Sequence, residues 1–445
     1  MRAKRRVVVC GMIAAAATGS ATRLVAQDVP SLVAKQLPGL VTTYQELHQS
    51  PELSHYEAKT SAWLAGEFRA AGYVVTEHIG KYMDGTPAYG VVGILKNGAG
   101  PTLLIRTDMD ALPVEEKTGL AYASKVKMKN AAGQEVSVMH ACGHDLHMTN
   151  MVGVARVMAA EKAKWHGTLM LVGQPAEEVG EGARAMLSEN LYERFGRPNF
   201  AIALHDNAGL AAGKVGITSG PAMAGSMTVM VTMRGVGGHG AMPASTKDPI
   251  VMASQFVLAL QTIVSRQTLP TNPTVVTVGM INGGTQPNII PDEVKLGLSV
   301  RFMNEATRKS ILGDIQRIAD GIAMVAGVPA DRRPIVEVTV SRLGSVTYND
   351  PALTARVRGT LVGALGTENV VDLEPVMVSE DFGKFGLDDR KIPTVLFWLG
   401  AVDPAKIGSG EPLPSLHSSA YAPMAEPALR TGVTAMSDTA IALLQ

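Results

Sequence analysis

Hydrophobic positions along the chain follow two spacings, and their alternation predicts an α/β protein. Apolar residues three to four apart are typical of amphipathic helices, and short continuous apolar runs are typical of buried strands. The predicted helices cover 31–49, 60–71 and 149–162, and the predicted strands cover 103–106, 168–172 and 200–204. Each strand runs into polar residues, and open α/β sheets bind ligands at the carboxyl ends of their strands. We therefore expect one edge of one sheet to collect Asp108, Asp110, Glu177, Glu178 and His205.

From about residue 227 the pattern changes to the order β-α-β-β-α-β. The strands are predicted at 227–233, 274–282, 294–301 and 335–340, and the helices at 249–268 and 307–326. This order is that of a ferredoxin-like unit, and its length suits an inserted satellite domain. The α/β pattern then resumes, with helices at 351–365 and 426–444 around a strand at 394–399. We predict a main domain in two parts, 27–220 and 346–445, interrupted by a satellite domain at 221–345.

The first 26 residues differ from the rest, because a basic start at 2–6 precedes an apolar run at 7–21. The run is shorter than the roughly 20 residues that a membrane-spanning helix needs. We therefore interpret residues 1–26 as a cleaved signal for export to the periplasm or beyond, by a route that the sequence leaves open. Cleavage would remove Cys10. Cys142 would then be the only thiol in an oxidising compartment, where it could form no internal disulfide.

Charge and composition exclude several classes of function. The 445 residues include 40 Lys and Arg against 40 Asp and Glu, so no net charge attracts the protein to nucleic acid or to an anionic membrane. Aromatic residues make up only 4% of the chain, which is too few for rows of stacking platforms that bind single-stranded nucleic acid. We therefore expect no nucleic-acid partner and no stable membrane anchor.

The densest chemistry lies in the segment His-Ala-Cys-Gly-His-Asp-Leu-His at 140–147. Cys142 and His144 stand two residues apart on either side of a flexible glycine, so a thiolate and an imidazole can both bind one divalent cation. A polar loop of hydrogen-bonded histidines would give the same pattern. The segment alone therefore predicts a metal site only weakly.

The adjacent Glu177 and Glu178 are the second candidate feature. Neighbouring carboxylates are costly at a partly buried strand end unless a positive charge neutralises them, and a metal ion would do so. In a hydrolytic site one carboxylate binds the cation and the other takes a proton from water. A solvated pair on a surface turn is the alternative.

Eight motifs together resemble the dinuclear-zinc aminoacylase and carboxypeptidase family of amidohydrolases. Within it, the similarity is to the branch of hippurate hydrolases, N-acetyl-diaminopimelate deacetylases and auxin-conjugate hydrolases. The motifs run through almost the whole chain after the predicted signal, and together they are far more specific than any one alone. They are Arg106-Thr-Asp108-Met-Asp110-Ala-Leu-Pro113, the segment 140–147, Gln174-Pro-Ala-Glu177-Glu178, Leu204-His205, Gly237-Gly238-His239-Gly240, Pro287-Asn288-Ile-Ile-Pro291, Ser379-Glu380-Asp381-Phe382 and Leu416-His417.

The resemblance implies an α/β fold in which a mixed-sheet, zinc-peptidase-like catalytic domain carries the ferredoxin-like insertion. It implies an enzyme that releases an amino acid from an N-acyl or N-aroyl conjugate or from a short peptide. Glu177 would be the general acid/base, beside two divalent ions that are zinc or else manganese, cobalt or nickel. The implied metal ligands are Cys142, His144, Glu178, His205 and His417.

The same resemblance implies roles for residues around this centre. The satellite domain would form a homodimer, in which His239, with Asn288, reaches the partner's active site and stabilises the oxyanion. Arg301 would meet the carboxylate of the substrate. Asp108 and Asp110 would support the metal ligands by hydrogen bonds.

Two departures from the family pattern leave the acyl group open. His205 is followed by Asp206 and Asn207 where the family commonly has a proline nearby, and Ala244 and Ser245 stand where many relatives carry a histidine. These positions lie near the substrate in such enzymes. They therefore affect the expected substrate rather than the expected reaction.

Three alternatives stay open. A carboxypeptidase acting on short peptides is the neighbour within the family, and an exported binding protein for acylated amino acids would use the same cleft without catalysis. The retained Glu177 argues against the binding protein. The glycines at 235–240 also have the spacing of a dinucleotide-binding turn, but no acidic residue follows about 20 positions later. Pro243 and Pro249 interrupt the helix that such a turn requires.

Overall fold

Helices and strands alternate along the described chain, which comprises residues 28–340, 344–387 and 389–445 of a computed structural model. The predicted signal, 1–26, and its Cys10 lie outside these residues, so export stays a prediction. The helices are α1 (Val29–His48), α2 (Ala58–Ala70), α3 (His144–Ala160), α4 (Gly182–Ser188), α5 (Leu191–Phe195), α6 (Pro249–Thr262), α7 (Glu305–Val325), α8 (Pro351–Leu365) and α9 (Ala425–Leu443).

The strands belong to one large sheet, one small sheet and three short pairs. They are β1 (Val74–Lys81), β2 (Pro87–Asn97), β3 (Thr102–Asp108), β4 (Lys127–Lys129), β5 (Glu135–Ser137), β6 (Gly167–Gln174), β7 (Phe200–Ala211), β8 (Val215–Ile217), β9 (Gly220–Met223), β10 (Gly225–Arg234), β11 (Gly238–His239), β12 (Val275–Asn282), β13 (Ile289–Ile290), β14 (Glu293–Phe302), β15 (Ile335–Val338), β16 (Thr347–Asn349), β17 (Val370–Asp372) and β18 (Thr394–Val402).

The large sheet has eight strands in the order β1-β2-β6-β3-β7-β18-β8-β17. Its centre, β6-β3-β7-β18, is parallel, whereas β1 and β2 join antiparallel at one side. The spacing of apolar residues did not predict β1 and β2. Side chains of β3 enter both hydrophobic cores, Leu103 and Ile105 on the side of α1, α3 and α9, and Leu104 on the side of α4 and α5. The sheet is therefore covered on both faces, as the predicted α/β class requires.

The small sheet has four antiparallel strands in the order β12-β14-β10-β15. Along the chain, the main elements of this unit follow the ferredoxin-like order β-α-β-β-α-β, as the sequence predicted. Helices α6 and α7 share one hydrophobic core with the sheet, through side chains such as Phe256 and Ile315. The chain enters and leaves this unit through β9 and β16, which pair with each other. The exact domain limits stay a prediction.

Helix α3 begins at His144, earlier than the predicted start at residue 149. His144 and His147 therefore lie on the first turns of a buried helix, and the prediction of a loop there was wrong. Gly143 takes a left-handed conformation, with φ of 73°, which turns the chain into the helix. Asp145 in the first turn is favourable beside the positive end of the helix dipole.

Strand β7 continues past His205 to Ala211, so the expected strand end at residue 204 was also wrong. The pairing with β18 explains the extension, because His205 lies opposite Trp398 and the ladder goes on through Asn207. The polar residues of this stretch hid the strand from a search for apolar runs. His205 and Asp206 are consequently held by a sheet rather than by a loop.

His48, the last residue of α1, is buried between two carboxylates. Its Nδ1 lies 2.6 Å from Asp145 Oδ2 and its Nε2 lies 3.1 Å from Glu116 Oε1. Burial alone would lower the pKa of His48, but hydrogen bonds and charge from Asp145 and Glu116 raise the pKa to about 9. The contact with Asp145 fixes the start of α3 against α1, and the contact with Glu116 fixes the segment after β3 against the same residue.

We expect His48→Gln to remove a pH-dependent part of the stability. Because the pKa of His48 in the folded state exceeds its unfolded value of about 6.5, the stabilisation is complete below that pH and is lost as the pH rises through about 9. The free energy of unfolding of the wild type, relative to the variant, should fall by up to about 3 kcal/mol over this range. Urea denaturation at several pH values measures it, and a pH-independent difference would contradict the expectation.

Candidate metal centre and active-site cleft

Side chains from five parts of the chain meet at the carboxyl ends of the central strands. Strand β3 and its following residues provide Asp108 and Asp110, and the turn after β6 provides the adjacent glutamates. Strand β7 provides His205, the start of α3 provides His144 with Cys142 two residues before it, and the segment before α9 provides His417. The structure brings together Cys142, His144, Glu177, Glu178, His205 and His417.

One cluster consists of Cys142, Glu178 and His417, whose donor atoms all lie within 4.8 Å of one another. The Nε2 atom of His417 lies 3.2 Å from Cys142 Sγ and 3.3 Å from Glu178 Oε2. His205 adjoins the cluster, with its Nε2 atom 3.7 Å from the same sulfur. A thiolate, a carboxylate and imidazoles at these distances can bind one divalent cation.

A second cluster consists of His144, Glu177 and Glu178. The Nε2 atom of His144 lies 3.8 Å from Glu178 Oε1 and 4.0 Å from Glu177 Oε2. Glu178 therefore belongs to both clusters and turns one oxygen toward each. Two adjacent clusters that share a carboxylate are an arrangement that can hold two cations.

Two buried atoms of these clusters have no hydrogen-bond partner among the described residues, His144 Nε2 and Glu178 Oε1. Buried polar atoms almost always have a partner, because an unpaired one costs free energy. Both atoms carry a lone pair and face the space between the clusters. The donor set therefore fits a divalent cation that accepts nitrogen, sulfur and oxygen ligands, as zinc does.

Negative charge accumulates next to the two clusters. Burial, together with the neighbouring Glu380 and Glu178, raises the pKa of Glu177 well above the usual carboxyl range. Burial likewise raises the pKa of Glu178 to about 8. Glu177, Glu380 and Asp381 also place oxygens within 4.8 Å of one another. A bound cation would relieve this repulsion and favour the ionised carboxylates.

Arg106 compensates part of the charge and is itself only 2% exposed. Its guanidinium donates to Asp108 Oδ2 and to Glu380 Oε1, each at 2.7 Å, and to Asp381 at 3.3 Å. Its Nε atom donates to Gln174 Oε1 at 2.9 Å. A fully hydrogen-bonded guanidinium is the side chain best suited to hold several carboxylates in fixed positions.

Backbone carbonyls orient the two histidines that face the clusters. His144 Nδ1 donates to the carbonyl of Asp110 at 2.8 Å, and His205 Nδ1 donates to the carbonyl of Asp206 at 2.8 Å. The Nε2 atom of each ring is thereby left for a metal. His147, in contrast, donates from Nδ1 to Asp108 Oδ1 and accepts the N–H of Asp206 at Nε2, so neither of its nitrogens is left for a cation.

The predicted supporting residues lie where they can act, although by different contacts. Asp108 holds His147 and Arg106. Asp110 holds the glutamate turn, because its two carboxylate oxygens accept the backbone N–H groups of Glu177 at 3.1 Å and Glu178 at 3.0 Å. Both aspartates are fully buried.

A cavity of about 660 Å³ opens next to the clusters, between the large sheet and the open face of the small sheet. Arg301 of β14 lines the cavity, together with hydroxyl side chains of β14 and of the neighbouring β10. His239 and Asn288 do not line the cavity. His239 lies on the exposed strand β11, where its Nδ1 accepts the N–H of Ala241 at 3.0 Å, and Asn288 lies directly before the paired strand β13. The cavity lining from the small sheet is Ser226, Met227, Thr228, Ser299 and Arg301.

Comparison with known proteins identifies the family. A model of the peptidase family M20/M25/M40 matches residues 104–440. The chain belongs to this family. An N-acetyldiaminopimelate deacetylase from Leuconostoc citreum is 34% identical over 384 residues, covering 84% of this chain and 90% of the relative. A hippurate hydrolase from Campylobacter jejuni is 36% identical over 343 residues, covering 76% of this chain and 83% of the relative.

A solved structure of the M20 family agrees in fold. It is a dinuclear metal-binding peptidase from Bacillus subtilis, with a TM-score of 0.74 and 26% identity over 92% of this chain and 99% of that one. The M20 chain described here is accordingly a hydrolase, as its curated relatives are. Its buried cluster of histidines and carboxylates can bind metal. The predicted family, fold class and enzyme class are confirmed.

Sequence reasoning missed four residues that hold the M20 site together. Arg106 and Glu380 stood in recognised motifs but received no role, although a basic residue two positions before an aspartate signalled a buried ion pair. Asp206 was treated only as a departure from the family. Tyr421, whose hydroxyl donates to Asp206 Oδ2, gave no signal in the sequence.

We expect Gly143→Ala to weaken metal binding by about 10- to 100-fold, which is the usual cost of disturbing the residues that orient ligands. A Cβ atom at Gly143 would overlap Asp206 Oδ2, and the left-handed φ of 73° adds strain of about 1–2 kcal/mol. Gly119→Ala is the matched control, because φ is 75° there but the Cβ atom meets open space. Calorimetric titration of metal into both metal-free variants measures the difference, and equal affinities would contradict the expectation.

Proposed function

We propose that this M20 protein hydrolyses N-acyl or N-aroyl amino acids and releases the free amino acid. The reaction would use two divalent cations, and zinc is the metal that we propose. The observation that carries the proposal is the pair of donor clusters that share Glu178, beside the carboxylate of Glu177 in the cavity. The names of the deacetylase and of the hippurate hydrolase support the substrate class, because both refer to N-acyl amino acids.

The side chains that bind the cations would determine where their positive charge lies in the site. The residues proposed to hold the cations are Cys142, His144, Glu178, His205 and His417. When bound, the cations would supply positive charge that polarises an amide carbonyl and eases the deprotonation of water.

Glu177 is the proposed general acid/base. It follows the left-handed Ala176 and lines the cavity, and His144 Nε2 lies 4.0 Å from its carboxylate, which is too far for a hydrogen bond. A buried carboxyl group with a raised pKa can accept a proton from the attacking water at Oε and keep it. When the C–N bond breaks, the same proton passes to the amine nitrogen, which leaves as the free amino acid.

Arg301 is the proposed partner of the substrate carboxylate. It lies half-buried in the cavity wall, where burial lowers its pKa; it pairs with Ser226 on β10, and Ser299 stands two residues before it on β14. Apolar side chains on the other walls, including Met223 and Trp398, suit an acyl or aroyl group. The carboxylate and the acyl group of an N-acyl amino acid would therefore contact different walls of the cavity.

A panel of N-acyl and N-aroyl amino acids, each beside its carboxamide and beside short peptides, tests the proposed function. We expect release of the free amine from the acids, lost with a chelator and restored by zinc, cobalt or manganese. The carboxamides should react more slowly because they do not pair with Arg301. Mass spectrometry of the released amine is the measurement, and ligand binding without any product would indicate a binding protein instead.

Glu177→Gln is the matched variant for the same panel. The amide keeps the size of the side chain but cannot accept the proton, so we expect kcat to fall by about 10²- to 10⁴-fold. Metal content, measured by elemental analysis, should stay at the wild-type level because the five proposed ligands are intact. Normal turnover by this variant would overturn the role of Glu177.

We also propose that two copies of the chain associate through the small sheet. Strand β12 is an edge strand and exposes Met280 and Ile281, and the neighbouring α6 exposes Leu258 on the side away from its core. Within the described residues, Pro249–Gln267 is the one helix with the length and composition to cross a membrane, which alone is weak evidence for a membrane span. A second copy covering this face would account for its apolar side chains. It would also bring the exposed His239 and Asn288 toward another active site.

Leu258→Glu should convert the dimer to a monomer, because a charge buried in an apolar interface is costly. Val74→Glu is the control, since Val74 is 75% exposed, as Leu258 is 73% exposed, but lies on β1 of the large sheet. Light scattering with size-exclusion chromatography measures the mass. A wild-type protein that stays monomeric at micromolar concentration would contradict the proposal.

A further inference from the structure

The glutamate turn after β6 offers three consecutive backbone N–H groups to two buried carboxyl groups. Asp110 accepts those of Glu177 and Glu178. The third, from Ala176, donates to Glu57 Oε1 at 2.8 Å. Glu57 comes from a distant part of the chain and contacts none of the proposed metal ligands through the bonds described.

The conformation of Ala176 needs such support. Its φ of 51° is left-handed, which costs a residue with a Cβ atom about 1–2 kcal/mol. Its carbonyl accepts the N–H groups of Glu181 and Gly182, both at 3.1 Å, and so closes the turn. A Cβ atom at Gly182 would overlap the carbonyl of Pro175, so the turn is already packed against itself. The direction of the Glu177 side chain follows from this one strained residue.

Glu57 is well placed to hold the turn, because its own position is fixed. It is fully buried and stands directly before α2. The oxygen that accepts from Ala176 also accepts the N–H of His55 at 3.0 Å, whereas Glu57 Oε2 has no partner among the described residues. The preceding Glu52 anchors the same segment, since its carbonyl accepts the N–H of Ala111 at 2.8 Å.

We propose that Glu57 is a positioning residue for catalysis: it holds the N–H of Ala176, keeps that residue left-handed and thereby directs Glu177 into the cavity. The inference rests on the proposed function, because it concerns the placement of the general acid/base. Asp110 restrains the glutamates themselves, and Glu57 restrains the residue that sets their direction. Both contacts are needed to define the turn.

Three variants separate this role from a merely structural one. Glu57→Met removes the acceptor and keeps the side-chain volume. Glu57→Gln keeps an acceptor oxygen, and it is a close mimic because burial, with Asp110 nearby, raises the pKa of Glu57 to about 8 and favours its neutral form. Glu52→Met is the matched control. Glu52 is also buried and accepts the N–H groups of Lys59 and Thr60 at the start of α2, without contacting the turn.

Amide hydrogen exchange of the full-length protein as purified measures the protection of the backbone N–H groups in the turn. In Glu57→Met the peptide covering 175–182 should exchange at least about tenfold faster than in the wild type, because its N–H groups lose protection. In Glu57→Gln and in Glu52→Met it should exchange as in the wild type. This readout does not depend on any substrate, so it stays informative even if the proposed reaction is wrong.

Steady-state kinetics on an accepted substrate provide the second readout. Glu57→Met should lower kcat by about 10- to 100-fold, in line with the cost of misplacing a catalytic group by about 1 Å, while KM stays within about threefold. Glu57→Gln should restore kcat. Wild-type exchange and wild-type kcat in Glu57→Met would overturn the proposal. Equal losses in Glu57→Met and Glu52→Met would overturn it too, because they would show only general destabilisation.

Discussion

The repulsion between buried carboxylates is the constraint on which the rest of the site depends. Glu177, Glu178, Glu380 and Asp381 all line the cavity, and Glu177, Glu380 and Asp381 place oxygens within 4.8 Å of one another. Arg106 offsets part of the charge through hydrogen bonds to two of them. A bound cation would compensate the remaining charge and the buried lone pairs that have no partner among the described residues. The fold therefore keeps an unfavourable arrangement in place so that a metal ion makes it favourable.

Backbone conformation decides which atoms face the cations. Gly143, Ala176 and His417 all have positive φ, and each lies at or next to a donor. Only one of the three is a glycine, so the other two must be held by their neighbours. The N–H of His417 donates to the carbonyl of Ala141 at 2.8 Å, in the same loop as Cys142. Strain at Ala176 and His417 is offset by the hydrogen bonds that hold these residues in place.

The sequence predicted those features that depend on local spacing. Hydrophobic periodicity predicted the central strands, the order of the small sheet and most helices, and the motifs predicted the residues that meet at the two clusters. It was wrong at the start of α3 and at the end of β7, because buried polar residues there break the apolar pattern. Contacts such as that of Arg106 with Glu380, 274 positions apart, leave no periodic signal. The predicted roles of His239 and Asn288 involve a partner chain and stay predictions.

His417 has a consequence for how the site is assembled. It lies 275 positions after Cys142, on the far side of the inserted small sheet, and α9 behind it packs on α1 and α3. A chain still emerging from the ribosome has four of the five proposed ligands but lacks His417 and α9. Contacts this distant in sequence form late in folding. A chain truncated before His417 would lack both that proposed ligand and α9, so the proposed metal centre can be completed only after the C-terminal segment has been synthesised.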